Sequence, residues 1–199
     1  WVDGYRVGRI GDRLASRSDW TLDGLQQVQL DTYFQAWDDL VPHVDGLAPS
    51  ELSGLAWDGD EQLLYAVSDR GHLFHFELAL DGTRLRQAKP LRAMPLLPWA
   101  GSSARRLNGE GLAVSGADNG VRGDTQLIVA LENGPRLMRY TPQGRPVGEV
   151  PLPAPLQDPA AYRSANSRLE AVSPHPQHGF VTAPQRPLKA QPQDTHTVY

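Results

Sequence analysis

Two glutamates occupy matching positions in repeated segments of the sequence. Glu110 opens the segment EGLA, and Glu170 opens the segment EAVS 60 residues later. Asp69 and Glu132 stand at the ends of two other apolar runs. Carboxylate oxygens suit hard cations, and Ca²⁺ takes about six to eight oxygen ligands without cysteine or histidine. We therefore predict that these four acids are metal ligands, with calcium as the cofactor.

Three arginines are the candidates for substrate binding. Arg70, Arg136 and Arg168 lie near the starts of the repeated units or in the turns between their strands. Guanidinium groups bind phosphate or carboxylate through paired hydrogen bonds. Beside a divalent cation, they would equip a site for metal-assisted hydrolysis of a phosphoester. The alternative is that the arginines are merely solvated and that the acids satisfy turn donors or pair with arginine, as Asp69 would with Arg70.

Other catalytic patterns are absent from the sequence. It contains no G-x-S-x-G elbow, no H-E-x-x-H, no phosphate-binding loop and no dinucleotide fingerprint. The absence of cysteine excludes disulfides, thiolate zinc sites and cysteine nucleophiles. His72 and His75 are three residues apart in a predicted strand and therefore point to opposite faces. His175 and His178 flank a proline in a predicted turn and are expected at the surface.

The composition narrows the class of protein. The chain has 199 residues, of which 40% are hydrophobic and 21% charged, so it can bury a core and is expected to be globular. Its 19 Lys and Arg against 23 Asp and Glu give a net charge of −4, which argues against nucleic acid as the main partner. No apolar stretch approaches about 18 residues, so we predict no membrane span.

The elements that position these side chains recur along the chain. Phe74, Phe76 and Leu78 lie at alternating positions, the period of a half-buried strand. Each unit has a first run (53–56, 110–113, 170–173), a second run (63–69, 126–132, 179–183) and a third run (73–80, 136–140, 195–199), and the first two units add a fourth run with proline (91–97, 147–152). Proline suits an edge strand because no ladder donor is needed there. The stretches 89–107 and 151–167 are predicted to be linkers.

Four antiparallel strands in a repeat of about 60 residues are the pattern of a β-propeller blade. We therefore predict an all-β fold, a β-propeller of four-stranded antiparallel blades. The segments are N-terminal strands (1–50, with a strand at 25–30 and a short helix or turn at 32–40), one blade (51–107), a second blade (108–166) and a partial blade (167–199). The alternative is an all-β sandwich whose three similar strand pairs arose by chance.

The number of repeats predicts an incomplete ring. A propeller closes with about four to eight blades, and the third unit ends at Tyr199, within its third predicted strand. We therefore expect about half of a ring. No charged and then apolar leader precedes Trp1, so we expect any export signal to have been removed.

Blade geometry brings the acids together. The first and second strands of a blade run antiparallel, so the first strand begins on the face of the disc where the second strand ends. Glu110 and Glu170 open first strands, whereas Asp69 and Glu132 close second strands. We therefore predict that the four carboxylates ring one face near the central channel.

Several segments resemble a known family. In order, ELSGL (51–55), YAVSD (65–69), EGLA (110–113), EAV (170–172) and TAPQRPL (182–188) resemble the phytase-like, or "esterase-like activity of phytase", proteins. The resemblance covers residues 51–199 and implies a secreted or periplasmic β-propeller. The sequence departs from the family pattern at Ala171, where a glycine would stand, and at Gln185, where a glutamate is expected.

Two functions follow. The resemblance implies a phytase-like hydrolase of small-molecule phosphoesters or simple esters that uses a divalent metal. The alternative is a non-catalytic propeller that binds a ligand or a protein partner on its charged face, because propellers host many unrelated functions.

Overall fold

The computed structural model describes residues 43–82, 84–104 and 106–199, whose regular secondary structure is almost entirely β-strand. The strands are β1 (Leu52–Asp58), β2 (Leu63–Ser68), β3 (His72–Asp81), β4 (Arg84–Pro95), β5 (Gly109–Ser115), β6 (Gln126–Leu131), β7 (Arg136–Tyr140), β8 (Pro146–Val150), β9 (Leu169–His175) and β10 (Gly179–Pro184). One short helix, α1 (Ala154–Gln157), precedes two 3₁₀ turns in the described part of the chain. The elements predicted at 25–30 and 32–40 lie outside the described residues.

The strands form successive antiparallel sheets. Strands β1 to β4 pair in chain order as one four-stranded sheet, β5 to β8 form a second, and β9 pairs with β10. The first strands lie side by side, β1 against β5 and β5 against β9. This is the arrangement of propeller blades, whose innermost strands neighbour one another, and it confirms the predicted all-β fold with four-stranded antiparallel sheets.

Strand β6 is buried on both faces because it lies between two hydrophobic cores. Its residues Leu127, Val129 and Leu131 pack against the first sheet in one core. The alternating residues Ile128 and Ala130 belong to a second core, shared with α1 and β9. Since successive side chains of a strand point to opposite faces, the second sheet connects the two cores.

Two glycines let the first strands approach closely. A Cβ built on Gly54 would lie 2.6 Å from the backbone nitrogen of Leu112, and one on Gly111 would lie 2.8 Å from that of Val172. Neither distance leaves room for a side chain. The equivalent residue of β9 is Ala171. It pairs with Ala183 of β10, just as each glycine pairs with a residue of the second strand in its own sheet.

Three element predictions need correction. Strand β4 begins at Arg84, so residues 89–95 belong to a strand and not to a linker. The stretch 151–167 contains α1 and the two 3₁₀ turns. The run 195–199 is not a strand, and only Tyr199 exchanges two backbone hydrogen bonds with Thr182, both at 2.9 Å.

The predicted edge position of proline is confirmed for Pro95, whereas Pro151 of the other predicted fourth run lies outside the strands. Pro90 and Pro95 lie in β4, and Pro146 lies in β8. These strands are the last in the order of their sheets. Within the part of the chain that the structure describes, no helix is long and apolar enough to cross a membrane.

Candidate functional site

The two repeated glutamates are carried on β-bulges. In each first strand, the pairing with the second strand skips one residue near the strand's start. The skipped residues are Ser53 between Leu52 and Gly54, Glu110 between Gly109 and Gly111, and Glu170 between Leu169 and Ala171. A bulge re-aims the side chain of its extra residue. Glu110 and Glu170 therefore have the same backbone setting in neighbouring sheets.

A repeated backbone hydrogen bond closes this end of each sheet. The donor is the N–H of the first residue after the second strand. The acceptor is the carbonyl of the residue two positions before the bulged residue. The three bonds are Asp69 to Glu51 (3.1 Å), Glu132 to Asn108 (3.0 Å) and Gln185 to Arg168 (2.8 Å). The ends of the second strands thus lie beside the starts of the first strands. We call this end of the sheets, with Asp69, Glu110, Glu132 and Glu170, the acidic face.

The carboxylates of the acidic face influence one another. Burial, followed by the negative charges of Glu170 and Glu132, raises the pKa of Glu110, whereas a hydrogen bond from Asn108 lowers it. Burial and the charge of Glu132 raise the pKa of Glu170. The fold therefore brings these three predicted residues near one another, and Asp69 also contributes to the raised pKa of Glu110.

Asp69 has an unused oxygen. Its Oδ1 is buried and has no hydrogen-bond partner among the described residues. Burial, then the neighbouring Glu51, raises the pKa of Asp69. Arg70 does not pair with Asp69, because both its Nε and its Nη2 donate to the carboxylate of Glu51. The alternative pairing of Asp69 with Arg70 is therefore not found in the structure.

Sequence reasoning missed Asn108, which lies within the acidic face. Its Nδ2 donates to Oε2 of Glu132 at 2.8 Å, and its N–H donates to Oδ1 of Asn133 at 3.0 Å. Its Oδ1 is buried without a partner in the described part of the chain. The available signal was its place two residues before Glu110, at the entry to a first strand.

The three predicted arginines differ in their surroundings. Arg136 contacts the carboxylate of Glu149 and lies 5.2 Å from the centre of the Trp99 ring. Arg168 lies beside the acidic face, where its Nη1 donates to the carbonyl of Glu132 at 3.4 Å. Its Nε is buried and has no partner among residues 43–82, 84–104 and 106–199. Of the three, Arg168 therefore has a donor without a partner among the described residues, whereas Arg70 and Arg136 are held in ion pairs.

The carboxylates of the acidic face are chemically suited to a hard cation, but they do not form a ready metal site. Within the described residues, no three His, Asp or Glu side chains are grouped so that they could hold a metal ion. Two oxygens of the acidic face, on Asp69 and Asn108, are buried without a partner among the described residues, and both are acceptors, as a cation or a donor-bearing ligand requires. Calcium binding stays a prediction.

The two histidine pairs differ in their surroundings. The His75 ring packs edge-on against Tyr65, with 4.8 Å between ring centres, and its Nε2 lies 2.7 Å from the carbonyl of Pro142. His72 packs against Phe74. At the end of β9, His175 and His178 stack at 4.6 Å, and Nδ1 of His175 accepts two backbone N–H groups of the turn. Local packing accounts for these contacts.

Comparison with known proteins shows a family to which the chain is similar and solved structures that resemble it. A family model described as "Phytase-like: Esterase-like activity of phytase" matches residues 49–199. A solved chain titled "Structure of Dos1 propeller" is similar at 16% identity with a TM-score of 0.42, over 67% of this chain and 31% of that chain. This chain thus spans about a third of the length of that structure. The comparison with curated proteins gives no match.

Proposed function

The chain belongs to the phytase-like family, and from this premise we propose that it is a hydrolase of small-molecule phosphoesters or simple esters with its site on the acidic face. The observation that supports this assignment most is the repeated β-bulge. It presents Glu110 and Glu170 from neighbouring first strands, with raised pKa values. Acids with shifted pKa values that share a face are typical of catalytic sites.

Each residue of the acidic face has a chemical role in this proposal. Arg168 binds an anionic oxygen of the substrate through its guanidinium, because a guanidinium favours phosphate or carboxylate. Glu110 holds or moves a proton near the reacting bond, since a carboxyl with a raised pKa exchanges protons closer to neutral pH. Glu132, held by Asn108, stays an acceptor beside it.

Calcium dependence is part of the same proposal. Oxygens of Asp69, Glu110, Glu132 and Glu170 would hold the ion, which when bound supplies charge neutralisation and activates water. Because no three described His, Asp or Glu side chains form a ready group, further oxygens from Asn108, substrate or water are needed to complete the shell. The protein's own side chains still bind the substrate and position the proton.

The setting of the protein is proposed from the family. A secreted or periplasmic location fits a hydrolase that meets small external substrates. We also propose that the described sheets are consecutive blades of a larger ring, because β1, β5 and β9 neighbour one another as innermost strands.

A non-catalytic binding propeller is the second candidate. It is favoured by the lack of a ready three-residue metal group in the described segments and by the ion pairs that hold Arg70 and Arg136. In that case the partly exposed residues Asp69, Asn108 and Arg168 belong to a surface that binds a partner, and no bond is broken.

Hydrolysis of 4-nitrophenyl phosphate and 4-nitrophenyl acetate separates the two candidates. We expect turnover by the chain, activation by added CaCl₂ and a loss on chelation with EDTA. Glu110→Gln keeps the shape of the side chain and removes its charge and proton, so kcat should fall about 100-fold or more. The matched control is Glu77→Gln, which changes an exposed glutamate of β3 and should leave kcat unchanged. Absence of turnover with either substrate, with or without calcium, would favour the binding propeller.

A further inference from the structure

Asn108 is held in place by its backbone. Its N–H donates to Oδ1 of Asn133, its carbonyl accepts the N–H of Glu132, and Asn133 in turn donates to the carbonyl of Arg106 at 2.6 Å. None of these bonds uses the Asn108 side chain. The loop before β5 is therefore tied to the turn after β6 whatever side chain stands at position 108.

The Asn108 side chain is engaged with the acidic face. Its Nδ2 donates to Oε2 of Glu132, which is a buried residue. This donation leaves Oδ1 buried without a partner among the described residues. Burying an acceptor without a partner destabilises a fold, so stability alone does not account for an asparagine here.

We propose that Asn108 is a positioning residue of the site, whose amide holds the Glu132 carboxylate in its working arrangement beside Glu110. The proposal rests on the hydrolase function proposed above. An amide donor suits this role because it holds a carboxylate without adding charge to the acidic face. The equivalent residues of the other two repeats are Glu51 and Arg168, which carry charge, so Asn108 is the neutral member of the set.

Substitution of Asn108 distinguishes the donor from the acceptor of its amide. Asn108→Ala removes both, whereas Asn108→Asp keeps an acceptor and replaces the donor by a negative charge. We expect kcat to fall roughly tenfold or more in the alanine variant, with KM changed less, and to fall further in the aspartate variant. A merely structural residue would not give this order, because aspartate is the closer match in shape.

The control is a second asparagine that also donates to a carboxylate. Asn119 donates to Asp124 at 2.9 Å from the loop between β5 and β6, at the opposite end of the strands. Asn119→Ala should leave kcat and KM unchanged. Full activity in Asn108→Ala, or an aspartate variant as active as wild type, would overturn the proposal.

A structural readout keeps the proposal testable if wild type hydrolyses nothing, a result that would refute the proposed function. Crystal structures of wild type and Asn108→Ala should then show the Glu132 carboxylate displaced in the variant while the backbone bonds of residue 108 persist. An unchanged Glu132 side chain would overturn the positioning role independently of any activity.

Discussion

The β-bulge sets the direction of the two repeated glutamates. Because the extra residue interrupts the alternation of faces, Glu110 and Glu170 can be aimed at one region from separate sheets. Their partial burial near other carboxylates raises their pKa values. Ionising such groups costs stability in the folded state, so the fold holds them against an electrostatic penalty.

Glu110→Gln is expected to reveal this penalty through the pH dependence of stability. The pKa of Glu110 is raised above the ordinary value of 4.5, so the folded state holds its proton more tightly than the unfolded state. The associated stability is complete below 4.5 and is lost as the pH rises through the raised value. Glutamine does not titrate. The melting temperature of the variant minus that of wild type should therefore increase between about pH 4 and pH 8, as measured by circular dichroism.

Glu61 supplies a control of opposite sign. Hydrogen bonds from Arg122 and the Gly123 N–H lower its pKa, so its stabilisation is present above 4.5 and is lost as the pH falls through the lowered value. Glu61→Gln should therefore become less stable relative to wild type as the pH rises. If the difference in melting temperature between Glu110→Gln and wild type did not change between about pH 4 and pH 8, the electrostatic penalty would be contradicted.

At the residue scale, site residues that repeat along the chain could be predicted from the sequence. The spacing of Glu110 and Glu170 predicted that they are equivalent, and both are the bulged residues of their strands. Asn108 has no counterpart of its type in the other repeats, and its role depends on a hydrogen bond to Glu132 from another segment. Likewise, the pairing of Arg70 with Glu51, and not with its neighbour Asp69, depends on how two loops meet.

At the scale of elements, the close packing of β5 against β9 requires a residue without a side chain at Gly111. A Cβ there would meet the Val172 nitrogen at 2.8 Å and Ala171 backbone atoms at about 3.0 Å, and backbone cannot move aside cheaply. Gly111→Ala should therefore lower the free energy of unfolding by about 1–3 kcal/mol in urea denaturation.

Gly148 is the matched control for that substitution. It lies in β8, the last strand of the same sheet, and a Cβ there would meet nothing within 4 Å. Gly148→Ala should be neutral or stabilise by about 0.4–1 kcal/mol, because it reduces the freedom of the unfolded chain. Equal effects of the two substitutions would show that the first strands tolerate wider spacing.

Apolar runs predicted most strands because these strands are buried. The second runs coincide with β2, β6 and β10. Strand β4 was placed too late in the chain, since its first half, Arg84–Ala88, is exposed or only partly buried and carries no apolar pattern. The run 195–199 has strand composition, yet it contributes one paired residue, because strand formation depends on a partner along its whole length.

At the scale of the whole molecule, the second sheet makes the two cores interdependent. Leu127 and Val129 fill the core toward the first sheet, whereas Ile128 and Ala130 fill the core toward β9. A strand that is buried on both faces loses the packing of one face when either core is lost, which weakens its support of the other core. Residues of both cores should therefore unfold together.

Leu156→Ala tests this coupling from one side. Leu156 lies in α1, is fully buried and belongs to the core that contains β9, so its truncation should cost about 2–5 kcal/mol. In hydrogen exchange followed by mass spectrometry, the amides of β2, which contribute only to the other core, should exchange faster by the same factor as those of β9. Leu85→Ala, at an exposed position of β4, should change neither. Faster exchange confined to β9 and β10 would show instead that the sheets unfold separately, and the two cores would then be independent units joined only by the chain.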